Sequence, residues 1–240
     1  MSTSQPPSQL TSPGWRRLWD AALDFVFPPR CVVCGRDAAH LCADCAAEFE
    51  PAAGSRCLRC WTPGSAELCA RCEATPPAFR SLRAAFVFHG ATRDAILAVK
   101  YKGFTAAVAP LVDLVDASAF APSLDLVTAV PMAGRRQRRR GHNQAELIAR
   151  QIARRLQIPS DARALRRIRS TPQQAKQHDV GARRENVKGA FAAGPARVAG
   201  RSVLVVDDVT TSGATLNACA LALLDAGAAA VDAWALARED

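Results

Sequence analysis

The run VLVVDDVTTSGATL, residues 203–216, decides the fold class. Val203 to Val206 is an apolar stretch of the kind buried in a parallel sheet. Asp207 and Asp208 stand at its end, followed by Thr210, Thr211, Ser212, Gly213, Ala214 and Thr215, where a helix begins. Successive backbone N–H groups at a helix N-terminus form an anion cradle, and Thr and Ser hydroxyls add donors. Two carboxylates beside that cradle can accept hydrogen bonds from a sugar diol. The ligand these parts suit is a ribose 5-phosphate with free 2- and 3-hydroxyls. A Walker A loop is excluded for want of Gly-Lys-Ser/Thr. A receiver domain also ends a strand in paired acids, but the 32 residues after Asp208 are too few for the rest of one.

Working outward, residues 213–226 read as a helix ending at Gly227, a good residue for the left-handed position after a helix. Residues 228–236 supply a last strand. Upstream, LRAAFVFH (82–89) and LDLVTAVP (124–131) read as strands, and residues 94–101 and 144–157 as helices. Asn143 with Glu146 three residues later suits a capping box. Strands alternating with helices imply an α/β fold with a mostly parallel sheet and a ligand at the strands' C-terminal ends.

The second strong signal is Cys31-x2-Cys34-x7-Cys42-x2-Cys45-x11-Cys57-x2-Cys60-x8-Cys69-x2-Cys72. Each CxxC puts two thiolates on one tight turn, within reach of one metal at about 2.3 Å. Four turns supply two structural zinc sites with no cysteine left over. Iron–sulfur or redox chemistry is the alternative, although a redox CxxC normally occurs once, beside a βαβ pattern. The short intervening loops favour pairing in chain order, with an interleaved arrangement left open. So small a module cannot bury a self-sufficient core, which makes metal its expected source of stability. His40 is expected in solvent, and Cys219, among Ala and Leu, in the core.

Composition sets the remaining bounds. Of 240 residues, 49% are hydrophobic and 22% charged, an ordinary globular balance. No apolar run is long enough to span a membrane, and the first residues lack a secretory pattern, so a cytoplasmic protein without stable membrane insertion is expected. Residues 1–14 read as a disordered tail and Trp15 to Phe27 as a short amphipathic helix. The formal net charge is +9, and the excess is local: residues 135–201 hold 18 Lys/Arg against 4 Asp/Glu. Arg135, Arg136, Arg138, Arg139 and Arg140 lead this stretch. Arginine forks bind phosphate bidentately, which suits a diphosphate or a nucleic-acid backbone. Phe191 is the only aromatic in residues 135–201, which argues against base stacking and leaves phosphate contacts.

The 203–216 run closely resembles the phosphoribosyl-diphosphate binding motif of type I phosphoribosyltransferases. Together with the cysteine module, the resemblance narrows to the ComF family of competence-associated proteins. It is carried also by KYKGF (100–104), VPMAGRRQRRRGHNQAELIAR (130–150) and residues 171–191 with RRENVKGAF. It implies a double zinc ribbon over 30–75 and a phosphoribosyltransferase-like domain over 76–240, with the tail and helix read above filling 1–29. It further implies Mg2+ arriving with phosphoribosyl diphosphate, and a part in DNA uptake or utilisation beside single-stranded DNA and DNA-processing proteins. By the same resemblance, Arg135 to Arg140 occupy the pyrophosphate loop. Gln173, Gln174, Arg183 and Asn186 lie in the flexible loop that covers the site. Thr211 stands where purine-salvage enzymes carry the Asp that exchanges a proton with the base. No catalytic acid or base is identified, so turnover and acceptor stay open.

Overall fold

The computed structural model describes residues 28–116, 120, 123–133, 140–169 and 189–240. The expected helix over 15–27 therefore lies outside the described residues. Two short helices, α1 (Ala43–Ala47) and α2 (Ala70–Ala74), belong to the cysteine-rich part. The α/β part runs β1 (Leu82–Val87), α3 (Gly90–Tyr101), α4 (Val108–Asp113), β2 (Leu126–Ala129), α5 (Gln144–Leu156), β3 (Leu165–Arg167), β4 (Phe191–Ala193), α6 (Pro195–Val198), β5 (Ser202–Thr210), α7 (Ala214–Asp225) and β6 (Ala230–Arg238).

Four strands form a parallel sheet in the order β1-β6-β5-β2. Both faces are covered, as parallel sheets require. The pleat divides β5 between two cores. Leu204 and Val206 face α3, α4 and α5 with Ile96, Val99, Leu111, Ile148 and Ile152, while Val203 and Val205 face α7 with Leu216, Cys219 and Leu223. Cys219 is fully buried, as its surroundings imply. β3 and β4 form a separate antiparallel ribbon, Leu165 opposite Ala193 and Arg167 opposite Phe191. Gln173, Gln174, Arg183 and Asn186, which fall between β3 and β4 in sequence, lie outside the described residues.

Three local expectations shift. β5 continues past both acids to Thr210, because β6 pairs with it as far as Thr210 opposite Arg238. α3 begins at Gly90, four residues before the expected start, since its buried face already includes Ala91 and Thr92. The capping box at α5 does not form: Asn143 Nδ2 donates to the Val130 carbonyl (3.1 Å), and Glu146 pairs with Arg150.

The cysteine-rich part is welded to the sheet. Ala52 donates its N–H to the Ala85 carbonyl and Val87 to that of Glu50, and Phe49 packs edge-on to Phe86 with centroids 5.3 Å apart. Leu82 donates to the Arg59 carbonyl, and Arg238 in β6 donates to the Cys60 carbonyl and Thr62 Oγ1 (3.0 Å each). The buried Arg56 guanidinium forks onto Asp240 at 3.0 and 2.7 Å. Trp61 holds a left-handed backbone (φ 62°), donates Nε1 to the Ala52 carbonyl and lies under the Arg83 guanidinium.

Candidate functional site

The eight paired cysteines gather into two groups in chain order, Cys31/Cys34/Cys42/Cys45 and Cys57/Cys60/Cys69/Cys72. Within each group the four sulfurs lie within 4.8 Å of one another. A tetrahedron with arms of about 2.3 Å has edges of about 3.8 Å. Cys34 and Cys42 Sγ are 3.7 Å apart, and Cys60 and Cys69 Sγ 3.6 Å, so both donor sets fit a tetrahedral zinc. The groups repeat one another in their backbone support as well. Cys42 N–H donates to Cys31 Sγ (3.5 Å), and Cys69 N–H to Cys57 Sγ (3.3 Å). Burial works against the Cys31 thiolate, but N–H donors from Cys42, Cys34 and Val33 outweigh it and bring its pKa down to about 6. The half-buried His40 belongs to neither group.

Past the end of β5, the strand-to-helix turn follows the sequence closely. Gly213 takes φ +76° at the N-cap of α7, a conformation L residues rarely adopt. A side chain there would also crowd Leu82 Cδ2 at 3.2 Å and Phe79 Cζ at 3.7 Å. The turn can therefore bring the first N–H groups of a twelve-residue helix up to the strand ends. Thr210 is buried, and Thr211, Ser212, Ala214 and Thr215 are half-buried around the turn.

The strand's extension separates the two acids. Neighbouring residues of a strand point to opposite faces, so Asp208 looks toward α3 and Asp207 toward α7, where its charge reaches the buried Cys219 thiol. Asp208 Oδ1 lies 3.1 Å from Lys100 Nζ, both side chains largely buried. Burial pushes the Asp207 carboxyl up to about 8; the Asp208 charge adds to this, while Lys100 and the Asp208 N–H, donated at 2.9 Å, oppose it.

Lys100 is the site residue that sequence reasoning missed, although KYKGF stands out in the chain. The available signal was a lysine closing an otherwise apolar helix face, beside buried Val99. Gln144 is a second. It is 1% exposed, neither amide atom has a hydrogen-bond partner, and it lines a small cavity with Asp208, Val99 and Ile148. Its signal was one polar residue on the Gln144-Ile148-Ile152 face of α5. The segment before α5 is clamped onto the end of α3: His142 Nε2 meets the Val99 carbonyl at 3.0 Å, and the Arg140 guanidinium stacks 4.6 Å over the Tyr101 ring. Arg140 thus packs on the residue that follows Lys100; Arg135, Arg136, Arg138 and Arg139 lie outside the described residues.

A double zinc ribbon domain family matches residues 22–76, and the phosphoribosyl transferase domain family matches residues 78–239. The DNA utilization protein YhgH of Salmonella typhi is 35% identical over 198 residues, which cover 77% of this chain and 84% of that protein. YhgH of Escherichia coli K12 is 41% identical over 116 residues, 48% of this chain and 49% of its own. Competence protein F of Haemophilus influenzae is 36% identical over 116 residues, 48% and 50% of the two chains. The match to the Escherichia coli and Haemophilus relatives spans about half their length. Among solved structures, the glutamine phosphoribosylpyrophosphate amidotransferase from B. subtilis, complexed with ADP and GMP, overlays 53% of this chain and 25% of its own, with a TM-score of 0.36 and 23% identity. Two in-order tetracysteine groups, a parallel sheet of the phosphoribosyltransferase type and these relatives agree: the chain belongs to the ComF family of competence and DNA utilization proteins.

Proposed function

We propose that the chain binds phosphoribosyl diphosphate or ribose 5-phosphate at residues 207–215 and serves DNA uptake or utilisation. The observation that carries the reading is Gly213, left-handed at the start of α7, three residues past a strand that carries two acids near its end. Helix N–H groups and the hydroxyls of Thr210, Thr211, Ser212 and Thr215 then receive the 5-phosphate, as such termini receive anions generally. Asp207 and Asp208 approach the ribose hydroxyls from two sides. Lys100 offsets the Asp208 carboxylate and Asp207 holds its proton below about pH 8, so it is the diphosphate, and not the acid pair, that would bring Mg2+. When bound, that ion would neutralise diphosphate charge. Arg135, Arg136, Arg138, Arg139 and Arg140 contact the diphosphate or a DNA backbone, and Gln173, Gln174, Arg183 and Asn186 close over the ligand. The partition into a zinc module over 30–75 and a ligand-binding domain over 76–240 goes with this reading, as does a structural part for both zincs. The association with DNA follows from relatives named for DNA utilization and competence.

Thr211 in place of a carboxylate disfavours proton exchange with a 6-oxopurine at that position, so ligand binding is the core of the reading and turnover an extension of it. Equilibrium dialysis with labelled phosphoribosyl diphosphate, with and without a nucleobase panel, tests both parts. Retention without nucleoside monophosphate supports a sensor or adaptor, release of labelled monophosphate supports a transferase, and no retention overturns the site.

A further inference from the structure

Away from residues 207–215, the outer edge of β2 is paired at Val127 alone among the described residues. Ser160 bridges Val127 in parallel, and Thr128 Oγ1 donates to the Asp161 carbonyl at 2.8 Å. The chain then turns away into β3, and a trough of about 920 Å³ opens between the end of β2, α5 and the β3 arm. A second hollow of about 480 Å³ shares Arg150 and Ser160 with it and extends it along α5. No residue of 207–215 lines either one.

The lining is dominated by one chemistry. Arg150, Arg154, Arg163, Arg166, Arg167 and Arg197 border the two hollows, against the two acids Glu146 and Asp161. Those acids are already engaged, Glu146 by Arg150 and Asp161 by Arg197. Arg154, Arg163 and Arg166 are exposed and have no acidic partner among the described residues. A compact anion calls for donors converging on one point; here the guanidinium groups are spread along a channel, which suits a linear polyanion. The described lining holds no aromatic side chain, so bases find no stacking platform and the contacts are to phosphates. A concave trough admits one strand, whereas a duplex presents a convex cylinder. The mouth includes Pro131 and Met132, immediately before the arginines of 135–140.

We propose that this trough is a track for the phosphodiester backbone of single-stranded nucleic acid, separate from the phosphoribosyl pocket. It rests on the proposed function only for the choice of nucleic acid over other linear polyanions. The test is fluorescence anisotropy of a labelled oligothymidylate across a salt series, with the full chain and the variant Arg154→Gln/Arg163→Gln/Arg166→Gln. On a single strand, each phosphate left without its neutralising cation flattens the log–log slope by about 0.7. The triple variant is therefore expected to flatten it by about 2, with affinity at 0.1 M salt lower on the order of tenfold or more. Oligothymidylate and oligoadenylate should respond alike, and a duplex should bind more weakly. Zinc content, thermal midpoint and ribose 5-phosphate calorimetry of the variant should match the parent. An unaltered slope overturns the track, as does tighter binding of duplex. Self-association that the variant abolishes, with no oligonucleotide binding by the parent, also overturns it and assigns the trough to a second copy of the chain. Failure of ribose 5-phosphate binding in the parent, with the slope change intact, overturns the pocket and leaves the track standing.

Discussion

Lys100, at the end of α3, sets its ammonium 3.1 Å from the Asp208 carboxylate on β5, and both groups are largely withdrawn from water. Breaking such a pair from one side leaves a charge without compensation, at about 3 to 5 kcal/mol when burial is complete. Some exposure remains here, so Lys100→Met is expected to cost about 2 to 3 kcal/mol. The double variant Lys100→Met/Asp208→Asn should recover part of that loss. Urea unfolding of the two single variants and the double variant checks the coupling; strictly additive losses would show that the pair is not engaged.

Asp207 gives the stability a pH dependence of defined sign. Its folded pKa, about 8, lies above the ordinary carboxylate value, so between about 4 and 8 the folded protein holds a proton that the unfolded chain has released. Stability therefore falls as pH rises through that window and levels off above it. Asp207→Asn removes this component. Thermal midpoints between pH 6 and 9, where zinc stays bound, are expected to drop less steeply for the variant than for the parent. Parallel curves would contradict the assignment.

The two ribbons should differ in what they support. Metal analysis of metal-replete protein is expected to give two zincs per chain. Cys31→Ser and Cys57→Ser should each lose one. The second ribbon is tied to β6 through Arg238 and to Asp240 through Arg56. Cys57→Ser is thus expected to lower the thermal midpoint of the whole chain further than Cys31→Ser, whose ribbon meets the sheet through Val32, Phe49 and the backbone of Glu50 and Ala52, with no buried arginine across the contact among the described residues. Cys219→Ala should keep both zincs. Equal midpoints for the two ribbon variants would show that the welds carry little.

Much of this was legible in the chain because it is local. CxxC turns, a glycine at a helix start and an apolar run before two acids each depend on a few neighbouring residues, and each stands as read. What was not legible depended on partners distant in sequence. The strand runs through Asp207 and Asp208 only because β6 pairs with it, and that pairing puts the acids on opposite faces. Lys100 joins the site only because α3 crosses β5. Asn143 abandons its cap because the Val130 carbonyl lies within reach. The arginine trough requires Ser160 to bridge β2 for a single residue and then part from it, which no periodicity encodes.

The central claim is the ligand at residues 207–215, and the variant that probes it must leave the fold intact. Gly213→Val does not qualify, since left-handed φ alone costs about 1 to 3 kcal/mol and the new side chain crowds Leu82. Asp207→Asn preserves shape and keeps the Lys100–Asp208 pair. Titration calorimetry of phosphoribosyl diphosphate and ribose 5-phosphate with Mg2+ present, into the parent and this variant, is the direct measurement. The account predicts saturable binding of at least one ligand to the parent, at one site per chain, and its loss in the variant. Equal binding by both proteins, or none by the zinc-replete parent, would contradict it.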